Sequence, residues 1–411
     1  MALVLENIGE IVTCEVGKNK FKRGAEMREI GLIKNASIKI DDGKILKIST
    51  SKIKTKSDDT ILDCNGKVVF PGFVDSHTHL VFAGSREDEF ALRAEGKTYE
   101  KIAKSGGGIL STVKKTREST KKELKKNARH YLNQFLRHGT TTVEIKSGYG
   151  LDFETEIKML EVIRELEIEE LISIVPTFLG AHAIPPEFKN KKNEYIDLIK
   201  NKMLPYVAKK NLAKFCDVFC ERNYFSLSET KEILLTAKTL GMEIKLHAEE
   251  LSNLGGAELA AELNATSVDH LEQISAKGIA ALKKSNTIAV MLPGVSFNLN
   301  HQYAPARKLI DENIAVAIST DFNPGSCMSY SMPMMMTIAS TQMKMSVEET
   351  ISASTINGAA ALGISNKVGS IEIGKNADLI IFDIPNYKFL NYHFGENHLK
   401  HIIKDGVILD L

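Results

Sequence analysis

The stretch FPGFVDSHTHL, residues 70–80, carries an apolar run into two histidines one residue apart. In extended backbone, residues i and i+2 face the same side, so a strand ending here presents the imidazoles of His77 and His79 to one point. A His-x-His pair alone fits two polar residues at a loop entrance as well as it fits a metal site. Its meaning depends on whether other segments end in the same way.

Seven other apolar segments recur along the chain, and five of them run into a Tyr, His or Asp: TTTVEIKSGYG (140–150), ISIVPTFLGAHA (172–183), FCDVFCERN (215–223), MEIKLHAEE (242–250), TSVDHLEQ (266–273), TIAVMLPGVSF (287–297) and IAVAISTDFNPGS (314–326). Each reads as a buried strand, and helix-period segments separate them. KKELKKNARHYLNQFLRHG stops on Gly139, and SLSETKEILLTAKTLG opens with a Ser-x-x-Glu box, read with Ser228 as its cap. Strand-then-helix units in this number predict a (β/α)8 TIM barrel over residues 70–364.

Residues 1–69 and 365–411 have a different texture. Short alternating runs rich in β-branched residues are punctuated by Gly, Asn and charge, with DDGK at 41–44 as a hairpin signal. The two chain ends are expected to meet in one small β-sandwich domain, making the fold α/β with two unequal parts. A chain of 411 residues exceeds what a single core of roughly 250–300 residues usually holds.

With 43% hydrophobic and 26% charged residues, no tryptophan and a formal net charge of +1, the composition suits a globular protein without a global basic field. The expected partners are a small-molecule substrate and a second copy of the chain, with neither nucleic acid nor membrane. Cys14, Cys64, Cys216, Cys220 and Cys327 form no CxxC pair, and no apolar run approaches the ~18 residues of a membrane span, so a cytoplasmic location is expected.

A barrel of this kind works at the C-terminal ends of its strands. The chemically useful residues do come last: His77 and His79, Tyr149, His182, His247 with Glu250, His270, and Asp321. His247 alone would be read as a satisfied core histidine. Together with His77, His79 and Asp321 it makes a mixed nitrogen and oxygen set suited to Zn or Fe, with a position left for water whose pKa then falls toward ~7. Glu250 is placed to pass a proton to a leaving nitrogen, His270 to orient water or stabilise an oxyanion, and Asp321 to accept a proton. Glu249 is expected to face away from its neighbour.

PGFVDSHTHL, IKLHAEE, VDHLE, ISTDFNPGS and the tail GSIEIGKNADLIIFD resemble the amidohydrolase superfamily of metal-dependent barrel hydrolases. AGSREDEFALRAEGKTYEKIAKSGGGI, EIKSGYGLD, FLGAHAIP and LGGAELAAEL narrow the resemblance to its imidazolonepropionase family, over essentially the whole chain. That resemblance implies hydrolysis of the lactam amide of 4-imidazolone-5-propanoate to N-formimidoyl-L-glutamate in histidine degradation. It implies His77, His79, His247 and Asp321 as ligands of one Zn or Fe ion, with Glu250 and His270 assisting. It also implies that Arg86, Tyr99, Tyr149, His182, Glu250, Asn323, Gly325 and Ser326 meet the substrate, and a planar guanidinium at Arg86 suits a propionate tail.

Some relatives build a two-metal site around a modified lysine on the fourth strand. Here the fourth strand has none, and Lys146 falls on the second, so one metal is expected. Rival readings are a deaminase on the same scaffold, which the metal set alone would not separate, and a non-catalytic assembly protein, which should show gaps among the ligands. SGGGI at 105–109 lacks the Lys-Ser/Thr of a phosphate loop and reads as a substrate-loop hinge. The basic run at 114–129 reads as a solvated helix face. His130, His138, His301, His393, His398 and His401 default to surface or core roles.

Overall fold

The computed structural model describes residues 2–97 and 107–409. At its centre eight strands follow in chain order: Phe73–Asp75, Thr140–Lys146, Ser173–Ala181, Phe215–Cys220, Glu243–Ala248, Ser267–His270, Ile288–Met291 and Val316–Ile318. They are called the first to eighth barrel strands below. Each pairs in parallel with its neighbours in sequence. The ring closes just past the ends of the first and eighth strands, where Asp321 N donates to His77 O at 3.0 Å and His79 N donates to Phe322 O at 2.9 Å. The same two backbone bonds bring His77, His79 and Asp321 together.

The second sheet takes Leu3–Val12, Leu32–Asp41, Lys44–Ser49, Thr60–Asp63 and Val68–Pro71 from the start of the chain and Leu379–Phe382, Leu399–Lys404 and Val407–Leu409 from its end. Val68–Pro71 joins the two ends, parallel to Leu3–Val12 and antiparallel to Leu379–Phe382. Leu5, Ile11, Ile38, Val69, Leu379, Ile381 and Ile403 form its apolar cluster. The chain passes between sheets at a single residue: Gly72 N bonds Asp378 O of the small sheet at 2.8 Å, and Phe73 N bonds Gly139 O of the barrel at 2.9 Å. A Cβ at Gly72 would lie 2.1 Å from Thr141 Oγ1, so only glycine fits this crossing.

The helix Lys121–Arg137 is capped by a reciprocal box between Thr120 and Glu123 and stops before Gly139, whose φ is +88°. The box on Leu227–Thr239 is set by Ser226 with Glu229, not by Ser228, because a capping box needs the carboxylate three residues beyond the cap. The basic run is neutralised by the following helix, Phe153–Glu169 and its end, rather than by its own glutamates: Lys121 reaches Glu161 and Glu165, Lys125 reaches Glu165 and Glu169, and Arg129 reaches Glu169 and Glu170. All five cysteines are free and buried. Among the described residues no helix is long and apolar enough to cross a membrane.

Candidate metal-dependent active site

Four donor atoms meet at the C-terminal mouth of the barrel. Asp321 Oδ1 lies 3.4 Å from both His77 Nε2 and His79 Nε2, and His247 Nε2 lies 3.4 Å from His79 Nε2. His77 Nε2 and Asp321 Oδ1 are buried without a hydrogen-bond partner. Four donors held ~2.1 Å from one ion at tetrahedral angles would stand about 3.4 Å apart. The set therefore fits a divalent metal, and its three histidines lie close enough together to form a metal-binding triplet by themselves. Burial holds His79 and His247 down at about 3 and His77 below the ordinary histidine range; the neutral imidazole is the form that binds a metal.

The opposite ring nitrogens are backed by carboxylates. His77 Nδ1 is 2.6 Å from Asp269 Oδ2, and His247 Nδ1 is 3.0 Å from Asp217 Oδ2. Such partners set the tautomer and turn Nε2 toward the metal. Both acids belong to a fully buried charged layer with Glu144, Lys146 and Lys245. The period of two explains it: Glu144 and Lys146 on the second strand, and Lys245 and His247 on the fifth, point inward, while Ile244 and Leu246 pack outside.

Above the metal ligands, the cleft is lined by Arg86, Tyr149, His182, Glu250, His270 and the loop through Asn323, Gly325 and Ser326. His182 Nδ1 lies 3.0 Å from the Gly148 carbonyl, which assigns the proton to Nδ1 and leaves Nε2 for the cleft. Arg86 is buried and pairs with Glu89 at 2.7 Å. Asn323 accepts from Gly325 N and Ser326 N, each at 2.8 Å, and donates to Asp321 O and Ser326 Oγ, each at 2.7 Å, so its side chain is committed to the loop. Tyr99 lies outside the described residues, as do Ser105 and Gly106 of the expected hinge. Gly108 precedes the helix Ile109–Glu118 at φ +80° and donates its N–H to Glu89.

Glu250 and His270 face one another at 3.7 Å. Burial pushes Glu250 up to about 7. Burial would lower His270, but the carboxylates of Glu250, Glu272 and Asp321 prevail and push it up to about 10. His270 and Asp321 sit at φ +82° and +49°, and Glu249 at +60°, so the backbone turns off the strand direction where the side chains must reach the cleft. Glu249 leaves the cleft and accepts from Ala257 N at 3.3 Å.

Several contributors were not singled out from sequence. His301, set aside as a default surface or core histidine, lines the cleft with Phe219 and Tyr224. Glu221 accepts Leu251 N and Ser252 N at 2.9 and 3.1 Å and also the Ser252 hydroxyl, tethering the loop that carries Glu250. Glu156 gathers the N–H groups of Gly148, Gly150 and Leu151 and so shapes the turn bearing Tyr149. Asp217, Lys245 and Asp269 were not singled out either, and for them the available signal was a charged residue inside a buried strand, as in FCDVFC, EIKLH and SVDH.

The chain belongs to the amidohydrolase family: the family's sequence model matches residues 68–409. The same barrel is seen at low sequence identity in a zinc-bound adenosine deaminase from Xanthomonas campestris, with a TM-score of 0.71, 17% identity, and coverage of 99% of this chain and 92% of that one. Within the family the chain falls among the imidazolonepropionases. It is 49% identical to the Clostridium tetani imidazolonepropionase, over 99% of this chain and 98% of that one, and 47% identical to that of Alkaliphilus oremlandii, over 98% and 97%.

Proposed function

We propose that the protein hydrolyses the lactam C–N bond of 4-imidazolone-5-propanoate to N-formimidoyl-L-glutamate, a step of histidine degradation, with one Zn or Fe ion held by His77, His79, His247 and Asp321. The observation that carries this reading is the convergence of those four donors at 3.4 Å spacing below a cleft that also holds Arg86, in a chain with near-full-length imidazolonepropionase relatives.

A divalent ion at this position would supply Lewis acidity toward a water and the ring carbonyl. The protein's own groups divide the remaining work. Asp321 accepts the proton of the attacking water as oxygen adds to the carbonyl carbon. The His270 imidazolium offsets charge gathering on the carbonyl oxygen. Glu250, on the same side, gives its proton to the ring nitrogen as the C–N bond breaks. Arg86 grips the propionate, with Tyr149, His182, Gly325 and Ser326 around the ring, while Asn323 keeps the loop in shape.

A cytoplasmic, homodimeric enzyme is part of this reading; five free buried thiols support a reducing location. The decisive experiment follows the ultraviolet absorbance of freshly made imidazolone propanoate with purified protein, and measures metal on the same sample. Decay of the substrate with close to one ion per chain is expected. No decay by metal-loaded protein, faster release of ammonia from cytosine or guanine, or close to two ions per active chain would each overturn part of the proposal.

A further inference from the structure

We infer that Lys146 is a positioning residue, whose ammonium bridges the carboxylates behind His77 and His247 and so holds two metal-facing imidazoles in one geometry. The inference rests on the metal site proposed above. Lys146 Nζ lies 2.7 Å from Asp217 Oδ2, 2.8 Å from Glu144 Oε2 and 3.7 Å from Asp269 Oδ2. The same Oδ2 of Asp217 is 3.0 Å from His247 Nδ1, and the same Oδ2 of Asp269 is 2.6 Å from His77 Nδ1. A continuous path of polar contacts therefore runs His77, Asp269, Lys146, Asp217, His247 across the barrel.

Barrel interiors are normally filled by layers of apolar side chains. A fully buried layer of three carboxylates and two ammoniums is costly to desolvate, and a hydrophobic replacement would often be at least as stable. Its placement directly behind the metal-facing histidines gives it a role that stability does not. Lys245, the other ammonium, makes a useful contrast. It donates to Ser76 O at 2.7 Å and lies 2.9 Å from Glu144 and 3.7 Å from Asp269. Among the described residues, only Lys146 pairs with both Asp217 and Asp269.

The arrangement also bears on the absence of lysine from the fourth strand. An ammonium ringed by three acids is engaged by ion pairs and does not offer a free amine for modification into a metal ligand.

The test compares wild type, Lys146→Met and Lys245→Met, each stripped and titrated with Zn2+ against a chromophoric chelator, and each loaded with Co2+ for its visible spectrum. Lys146→Met should bind metal about 10–100-fold more weakly and show altered Co2+ bands, whereas Lys245→Met should stay within about three-fold of wild type. A wild-type affinity and spectrum for Lys146→Met, or an equal loss in Lys245→Met, overturns the inference. If Lys146→Met does not fold, Asp217→Asn keeps the side-chain shape and removes the ion pair; it should show the same weakening, and unchanged binding would again overturn it. Wild-type protein that binds no metal would instead refute the metal site itself.

Discussion

Asp217 holds His247 at two points: one carboxylate oxygen accepts the backbone N–H at 3.1 Å, and the other stands 3.0 Å from ring Nδ1. The strand end and the ring are thereby aimed together, and His247 Nε2 faces His79 Nε2 at 3.4 Å. Bonds made within the protein hold the ring, as expected of catalytic rather than folding-coupled metal sites.

His247→Ala should accordingly lose metal and turnover while keeping the native circular dichroism spectrum and a cooperative melt. Metal content, rate and melting are read on one preparation. Turnover surviving in a metal-free variant would remove His247 from the site.

Arg86→Ala should act on substrate binding. Loss of a charge-assisted pair is worth roughly 1.5–3 kcal/mol, which should appear as a raised KM with metal content unchanged. Gly325→Ala offers an independent route to the same effect, because its Cβ would lie 2.2 Å from Arg86 Nη1 and displace the guanidinium. An unchanged KM in both variants would take the propionate contact away from Arg86.

Glu250 provides the pH prediction. Burial raises its pKa to about 7, so the protonated donor predominates below that pH and is lost as pH rises through it. A bound cation pulls the value down, so the alkaline limb of kcat/KM should have its midpoint at or below about 7. Glu250→Gln should lower the rate by about 10²–10⁴-fold and flatten that limb. A variant retaining both rate and limb would assign the proton transfer elsewhere.

Ser226→Ala should cost about 1 kcal/mol of stability by denaturant unfolding, because Ser226 accepts from Glu229 N at the start of its helix. Ser228→Ala, lacking that role, should stay within about 0.5 kcal/mol. Equal effects would mean that the box contributes nothing measurable.

The eight strands and the residues ending them were legible because both signals are local. Apolar runs mark buried parallel strands, and a His or Asp at the end of such a run stands out against it. His77 and His79 could be paired from a spacing of two alone, and the motifs around Arg86 and Tyr149 carried the family resemblance. The cap of Leu227–Thr239 was misplaced by two residues, although its spacing rule was present in SLSE. Glu221 and Glu156 were not legible, since an acid near a loop looks solvated until the loop folds back over it.

By itself, then, the sequence determined the barrel and its mouth, which follow from strand alternation and from which residue closes each strand, and it named His77, His79, His247 and Asp321 as the expected metal donors. Only the tertiary structure decided that Gly72 is the crossing point between sheets, that His301 enters the cleft, and that Asp217, Asp269 and Lys146 form one layer behind the histidines. The physical reason is register. Residues 146, 217 and 269 lie on three different strands, and only the closure and stagger of the barrel set which buried charges come within reach of one another.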